Sequence, residues 1–358
     1  MDLFFDLLRS AIYGVIEGIT EWLPISSTGH MILAEQVLKF SFSAEFMEMF
    51  RVVIQLGAIL AVVVMYFKKL WPFCVDNGRD SGLAKHIRWP VMRLWGKILV
   101  ACLPAAVLGL LLDDWMDAHL YNSVVVAIML IVYGIAFILI ERRPRVPTTT
   151  KLSRITYKQA IIVGAWQVLA LIPGTSRSGS TIIGGLLCGM SRACASQFTF
   201  FLAIPVMAGA SGLKLVKFLA KGGVFTLAEI SALLVGCIVA FVVSMLAIRF
   251  LMDYVKKHTF TVFGWYRIAL GILVLGMLFP ATAAEGPAGK RRITQQTQEY
   301  IRRFRERFVD RDCADLLKRK DLIPTGQSRD LGVADHCGIL IVSAVEILCD
   351  YIAELKGE

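Results

Sequence analysis

Between Glu17 and His30 the chain reads Glu-Gly-Ile-Thr-Glu-Trp-Leu-Pro-Ile-Ser-Ser-Thr-Gly-His, setting two carboxylates, a run of hydroxyls and an imidazole inside an otherwise apolar N-terminal segment. Such groups are costly at membrane depth unless they meet a ligand or one another. Glu17 and Glu21 share one face of a helix, and Pro24 ends that helix and hands the chain to Ser26, Ser27 and Thr28. Ser and Thr favour helix starts, where free backbone N–H groups and the helix dipole attract an anion. The chemistry predicted from this stretch is a pair of carboxylates facing an oxyanion site.

A second stretch carries complementary groups. Gly14 to His30 overlays Gly164 to Ser180 without a gap, matching Gly14 with Gly164, Glu17 with Gln167, Ser26 with Ser176, Thr28 with Ser178 and Gly29 with Gly179. The later copy, Pro173-Gly-Thr-Ser-Arg-Ser-Gly-Ser-Thr181, offers an amide at Gln167 and a guanidinium at Arg177 in place of acids. Arginine presents a planar fork suited to phosphate. Repeated segments whose helices break at Gly and Pro near the bilayer middle aim their half-helix N-termini at a shared anionic ligand.

The elements that must position these residues are membrane helices. The 358 residues are 56% apolar with mean hydropathy +0.65, too hydrophobic for a soluble domain. Runs of about 20 apolar residues, enough to cross the hydrocarbon, occur near 46–67, 91–112, 121–140, 197–216, 227–251 and 260–280. The expected fold is an all-α polytopic membrane protein of six transmembrane helices plus two re-entrant helical hairpins. Repeat one covers about 1–112 and repeat two about 121–280. Residues 1–23 lack a basic leader and carry Asp2, Asp6 and Glu17, so they do not read as a cleaved signal peptide.

Charge sets the orientation. Residues 281–358 hold 13 basic and 13 acidic side chains, so the net +10 arises from the 25 basic and 15 acidic ones upstream. Basic clusters over 68–97 and 141–158 are cytoplasmic by the positive-inside rule, which puts both termini on the outer side; Lys214, Lys217 and Lys221 fit that rule less well. The pattern points to a bilayer and excludes nucleic acid as a partner. The eight Cys show no CxxC pair and no zinc-like spacing.

With these motifs and Val53-Ile-Gln-Leu-Gly57, residues 1–280 closely resemble the bacterial undecaprenyl-diphosphate phosphatases, also called bacitracin-resistance proteins. The resemblance implies a multi-pass enzyme of the bacterial inner membrane. It would remove the terminal phosphate of undecaprenyl diphosphate, recycling the lipid carrier for peptidoglycan and other envelope polymers. It further implies two inverted repeats with re-entrant hairpins, an active site open to the periplasm and dependence on a divalent cation, Mg²⁺ or Ca²⁺. By motif, Glu17 and Glu21 correspond to essential acids, Ser27 and His30 to the reactive centre, and Arg177 to the phosphate-binding arginine.

The residue types agree with that chemistry. Glu17 and Glu21 are hard oxygen ligands of the kind Mg²⁺ and Ca²⁺ take, and either could instead act as general base. Ser27 serves as nucleophile or positions one, while His30, three residues on, carries protons, activates that hydroxyl or itself attacks phosphorus. Arg177 and the two half-helix N-termini cradle the phosphates, and Ser26, Thr28, Ser176, Ser178 and Thr181 add hydrogen bonds. For Ser26 and Ser178, simple helix capping is an equal reading. Tyr266-Arg267 reads either as a phosphate contact or as an interfacial tyrosine beside a snorkelling arginine.

A linker over 281–293 leads to a helical tail over 294–358. There Tyr300, Ile301, Phe304 and Phe308 form an apolar stripe among arginines, and 335–356 has helical periodicity. Cys313, Cys337 and Cys349 faintly resemble the end of a small redox family whose Gly-Cys-Ala core is absent here. The alternative function class is a transporter or flippase of a phosphate-bearing lipid or anion. Paired acids with Ser and His exceed what transport needs. A homodimer is compatible with the sequence.

Overall fold

The computed structural model describes residues 2–278 except 39, 76–81, 121 and 143–145, and, in the tail, residues 295, 298, 299, 302, 303, 306, 350 and 354. The tail's apolar stripe, its 335–356 helix and its three cysteines therefore lie outside the described residues, isolated helical positions apart. Two of those, Arg303 and Glu354, form a bidentate ion pair at 2.9 and 2.8 Å. Hydrogen bonds from Arg302 and Arg303 hold Glu299 well below the usual carboxylate range.

The described residues are helical, with isolated β-bridges and no strand. Two short helices, α1 (Asp2–Thr20) and α2 (Ser27–Val37), form the first hairpin. They are followed by α3 (Ala44–Val53), α4 (Gln55–Met65), a short α5 (Phe67–Leu70), α6 (Trp89–His119) and α7 (Ser123–Arg142). The second hairpin is α8 (Tyr157–Val168) and α9 (Arg177–Leu187), then α10 (Arg192–Ala220), α11 (Leu227–Lys257) and α12 (Thr261–Leu278).

Among the described residues, five helical segments, Ala44–Met65, Trp89–Leu112, Ser123–Arg142, Arg192–Ala220 and Leu227–Lys257, are long and apolar enough to cross a membrane. The sixth expected span corresponds to the shorter apolar stretch Thr261–Gly276. Exposed Leu99, Leu103, Leu110 and Leu111 on α6 and Leu234, Ile238, Leu246 and Phe250 on α11 give the outer face the apolar character lipid requires.

Packing between the halves is reciprocal. The first hairpin helix, α1, lies along α11, and its counterpart α8 lies along α6, while α7 and α12 pair with each other. Glycines permit the close approaches. A Cβ on Gly14 would stand 2.6 Å from the Gly236 carbonyl, and one on Gly164 would stand 2.3 Å from that of Ala101. At the α7–α12 contact Gly134 and Gly264 face each other's carbonyls at the same 2.7 Å, as a two-fold relation demands.

Gly57 on α4 is tighter still, since a Cβ there would fall 2.1 Å from the Cys237 carbonyl of α11. Gly57→Ala is expected to force these backbones apart and destabilise the fold by about 1–3 kcal/mol, the usual range for overpacking. A lowered thermal midpoint of the detergent-solubilised protein is the check. At Gly209, where nothing lies within 4 Å of the same added atom, Ala should leave that midpoint unchanged.

Candidate active site

Both hairpins break in the same way. After α1, residues 21–25 run as turns before α2 begins, and after α8 a 3₁₀ turn over Leu169–Leu171 leads through Pro173 and Gly174 into α9. The residue before each half-helix is a serine at positive φ, Ser26 at 72° and Ser176 at 71°, the two non-glycine residues in that region among those described. Non-glycine residues persist there only where the surroundings over-determine them, commonly at ligand sites. Ser176 caps its helix by accepting from the Gly179 amide at 3.2 Å, whereas Ser26 makes no such cap and its buried Oγ has no partner.

The two breaks meet. Arg177, at the start of α9, donates from Nη2 and Nε to Glu21 Oε1 at 2.8 and 3.0 Å, and from Nη1 to the Thr199 carbonyl at 3.0 Å. Both side chains are nearly buried, and the guanidinium lies 5.7 Å from the centre of the Trp22 ring. Three of its five N–H groups are thereby engaged, leaving two for an incoming phosphate. Ser27 Oγ donates to the other carboxylate oxygen, Glu21 Oε2, at 3.4 Å. Glu17, one turn earlier and 1% exposed, lies beside Glu21 and Arg177 with its Oε1 unpartnered. Its repeat counterpart Gln167 is likewise buried, with both amide atoms unpartnered.

The remaining candidates divide. Thr28 is half-buried on the first turn of α2. Ser178 Oγ donates to the Leu23 carbonyl at 3.4 Å, and Thr181 Oγ1 donates to the Arg177 carbonyl and accepts from Thr199 Oγ1, each at 2.9 Å. These hydroxyls hold the frame of Arg177. His30 shares the helix face of Ser27, yet its ring nitrogens go elsewhere, Nδ1 to the Ser26 carbonyl and Nε2 to the Tyr266 hydroxyl, both at 2.7 Å. The group in reach of the Ser27 hydroxyl is Glu21.

Arg267 departs from both readings of the sequence. It neither snorkels nor stands at the surface but is fully buried, donating to the carbonyls of Pro24, Gly174, Thr175 and Met129 at 2.8–3.4 Å, with Tyr133 against its guanidinium. One side chain thus ties the break of the first hairpin to that of the second. Arg267→Lys cannot reproduce this fork. Given about 1.5–3 kcal/mol for a hydrogen bond to a charged group, it should lower the thermal midpoint markedly.

A membrane fold with an acid and an arginine joined across two broken hairpins narrows the choice of family, and comparison with known proteins decides it. The family description "Bacitracin resistance protein BacA" matches residues 10–273. The chain belongs to the BacA family. Among curated BacA-like relatives, an undecaprenyl-diphosphatase of Enterococcus faecalis is 60% identical over 276 residues, covering 76% of this chain and 98% of that protein. Undecaprenyl-diphosphatases of Streptococcus gordonii and Lactococcus lactis are 57% and 56% identical, covering 76% and 75% of this chain and 95% and 96% of their own lengths. The BacA match ends just short of the C-terminus of α12, so residues 281–358 are additional to it.

Proposed function

We propose that the chain hydrolyses undecaprenyl diphosphate to undecaprenyl phosphate and inorganic phosphate at the Glu21–Arg177 site. The observation that carries this reading is the 2.8 Å contact between an acid of one hairpin and an arginine of the other, at two strained helix starts. The BacA relatives named undecaprenyl-diphosphatases supply the substrate.

The terminal phosphate docks on the two free N–H groups of Arg177 and the first-turn amides of α2, where the helix dipole favours an anion. Ser27 Oγ, hydrogen-bonded to Glu21, attacks the terminal phosphorus, and its proton passes to Glu21. The bond from phosphorus to the bridging oxygen breaks, and undecaprenyl phosphate leaves. Water then cleaves the phosphoserine, releasing inorganic phosphate and restoring the hydroxyl. Arg177 acts electrostatically, opposing the charge that builds on the equatorial oxygens. Trp22 at its ring face and the Thr199 carbonyl fix its plane.

A divalent cation fits the donor set. The orphaned Glu17 Oε1 and the neighbouring Glu21 are hard oxygen ligands. No group of three or more His, Cys, Asp or Glu suited to a metal occurs among the described residues. Phosphate oxygens and water would therefore complete the shell, as Mg²⁺ prefers. When bound, the ion would neutralise charge on the anhydride.

The architecture follows as six membrane crossings and two re-entrant hairpins in an inverted repeat. The reciprocal α1–α11 and α6–α8 packing and the α7–α12 pair support matching α7 with α12, a division between α7 and α8 in place of the one near residues 112–121 expected from the sequence. The basic loops before α6 and after α7 lie in the cytoplasm, which opens the site to the periplasmic side of the inner membrane and puts both termini there. The prenyl chain lies among the apolar helices.

The test is phosphate release from undecaprenyl diphosphate by the purified full-length chain in detergent. Turnover that requires Ser27 and Glu21 is expected. A transporter of phosphate-bearing lipid would release none once the bilayer is gone, and that outcome would replace the enzyme by the transporter.

A further inference from the structure

His30 is held at both ring nitrogens, one by its own hairpin and one by a distant part of the chain. Its Nδ1 stands 2.7 Å from the Ser26 carbonyl. A carbonyl only accepts, so Nδ1 carries the hydrogen, and the single lone pair of the neutral ring sits on Nε2. That lone pair meets the Tyr266 hydroxyl of α12 at 2.7 Å, with the two rings 8° from parallel and their centres 5.6 Å apart. The phenol O–H therefore donates to Nε2 while the imidazole is neutral.

Tyr266 is itself held. The next residue, Arg267, is fully buried and bonded to carbonyls of both helix breaks, among them Pro24 two residues before Ser26. The α12 backbone at Tyr266 is thus locked to the same turn that supplies the Ser26 carbonyl. Because Ser26 is held at positive φ and its Oγ has no partner, the ring of His30 is set by the backbone of that strained residue on one side and by the phenol on the other.

We infer that Tyr266 is a positioning residue for His30: with the Ser26 carbonyl setting the Nδ1–H tautomer, its hydroxyl fixes the orientation of the ring and holds the only ring nitrogen able to accept a proton or attack phosphorus. The consequence for the reaction is a division of labour. Glu21 deprotonates Ser27, and His30 is kept from Ser27 as a proton carrier whose Nε2 is gated by the phenol. Tyr266 is the more exposed member of this pair, 45% against a half-buried His30. The kinetic part of this inference rests on the proposed hydrolysis; the tautomer does not.

Two measurements on the full-length protein in detergent test it. Nitrogen NMR of ring-labelled histidine, with His30 assigned by its loss in His30→Gln, should show one Nδ1–H tautomer with a hydrogen-bonded Nε2. In Tyr266→Phe, which keeps the ring, the Nε2 resonance should move to that of a nitrogen without its hydrogen bond, while the Nδ1–H tautomer persists on the Ser26 carbonyl. An unchanged His30 spectrum in Tyr266→Phe overturns the inference whether or not the protein is active. In phosphate release, Tyr266→Phe should lower kcat roughly tenfold, the worth of about one hydrogen bond, with KM unchanged. The same substitution should have no further effect in a His30→Gln background. An equal loss in both backgrounds would show that Tyr266 acts apart from His30. Absence of turnover in the parent protein would sink the hydrolysis and leave the spectrum to judge the pair.

Discussion

Arg177→Ala is expected to lower kcat/KM for undecaprenyl diphosphate by about 10³-fold, within the range seen when an arginine serving a phosphoryl-transfer transition state is removed. The side chain bridges Glu21 and the Thr199 carbonyl and keeps two N–H groups for substrate. Its deletion therefore removes the phosphate fork and leaves a carboxylate without its cation. Arg177→Lys should recover little, because a point charge cannot contact Glu21, the Thr199 carbonyl and a phosphate in one plane. Phosphate release at subsaturating substrate reads the loss. Thermal midpoints taken alongside separate it from unfolding, since breaking a buried pair costs about 3–5 kcal/mol.

Glu21→Gln should be nearly as damaging, roughly 10²–10³-fold in kcat, with a smaller effect on KM. The amide is close in shape to the carboxylate and its oxygen can still accept from Arg177, but it takes no proton from Ser27 and forms no ion pair with the guanidinium. Gln is the informative replacement because Ala would also strand the buried guanidinium. Since Glu21, Ser27 and Arg177 act as one unit, Glu21→Gln combined with Arg177→Ala should be little worse than the more damaging single change. Multiplicative losses in the double variant would mean that the two residues serve separate steps.

The parts of this site that were legible in the sequence are those written in local punctuation. Pro24 and Pro173-Gly174 mark where each hairpin breaks, and the unbroken overlay of Gly14–His30 on Gly164–Ser180 marks the breaks as equivalent. The overlay's Ser26 and Ser176 share their unusual φ to within one degree. Opposite charge on the two copies pointed to Glu21 and Arg177 meeting, and they do.

Less legible were contacts whose partners are backbone. Arg267 binds four carbonyls from three separate stretches of chain, and no residue type announces a carbonyl. An arginine early in an apolar helix reads as snorkelling by default. The spacing of Ser27 and His30 pointed to a shared face but not to the partners that each side chain finds there. Ser27 is the first residue of α2, so its side chain leans back to Glu21, while the His30 ring folds onto the Ser26 carbonyl one turn below. The break at Ile54 between α3 and α4 falls where no Pro or Gly stands.

The most direct test is a structure of the full-length protein with an uncleavable prenyl diphosphate analogue whose bridging oxygen is replaced by methylene. Oxygens of the terminal phosphorus are expected within hydrogen-bond reach, about 3 Å, of Arg177 and of the Ser27 hydroxyl. The prenyl chain should run outward among the helices. An analogue bound elsewhere, with Glu21 and Arg177 still closed on each other and screened from it, would contradict the site.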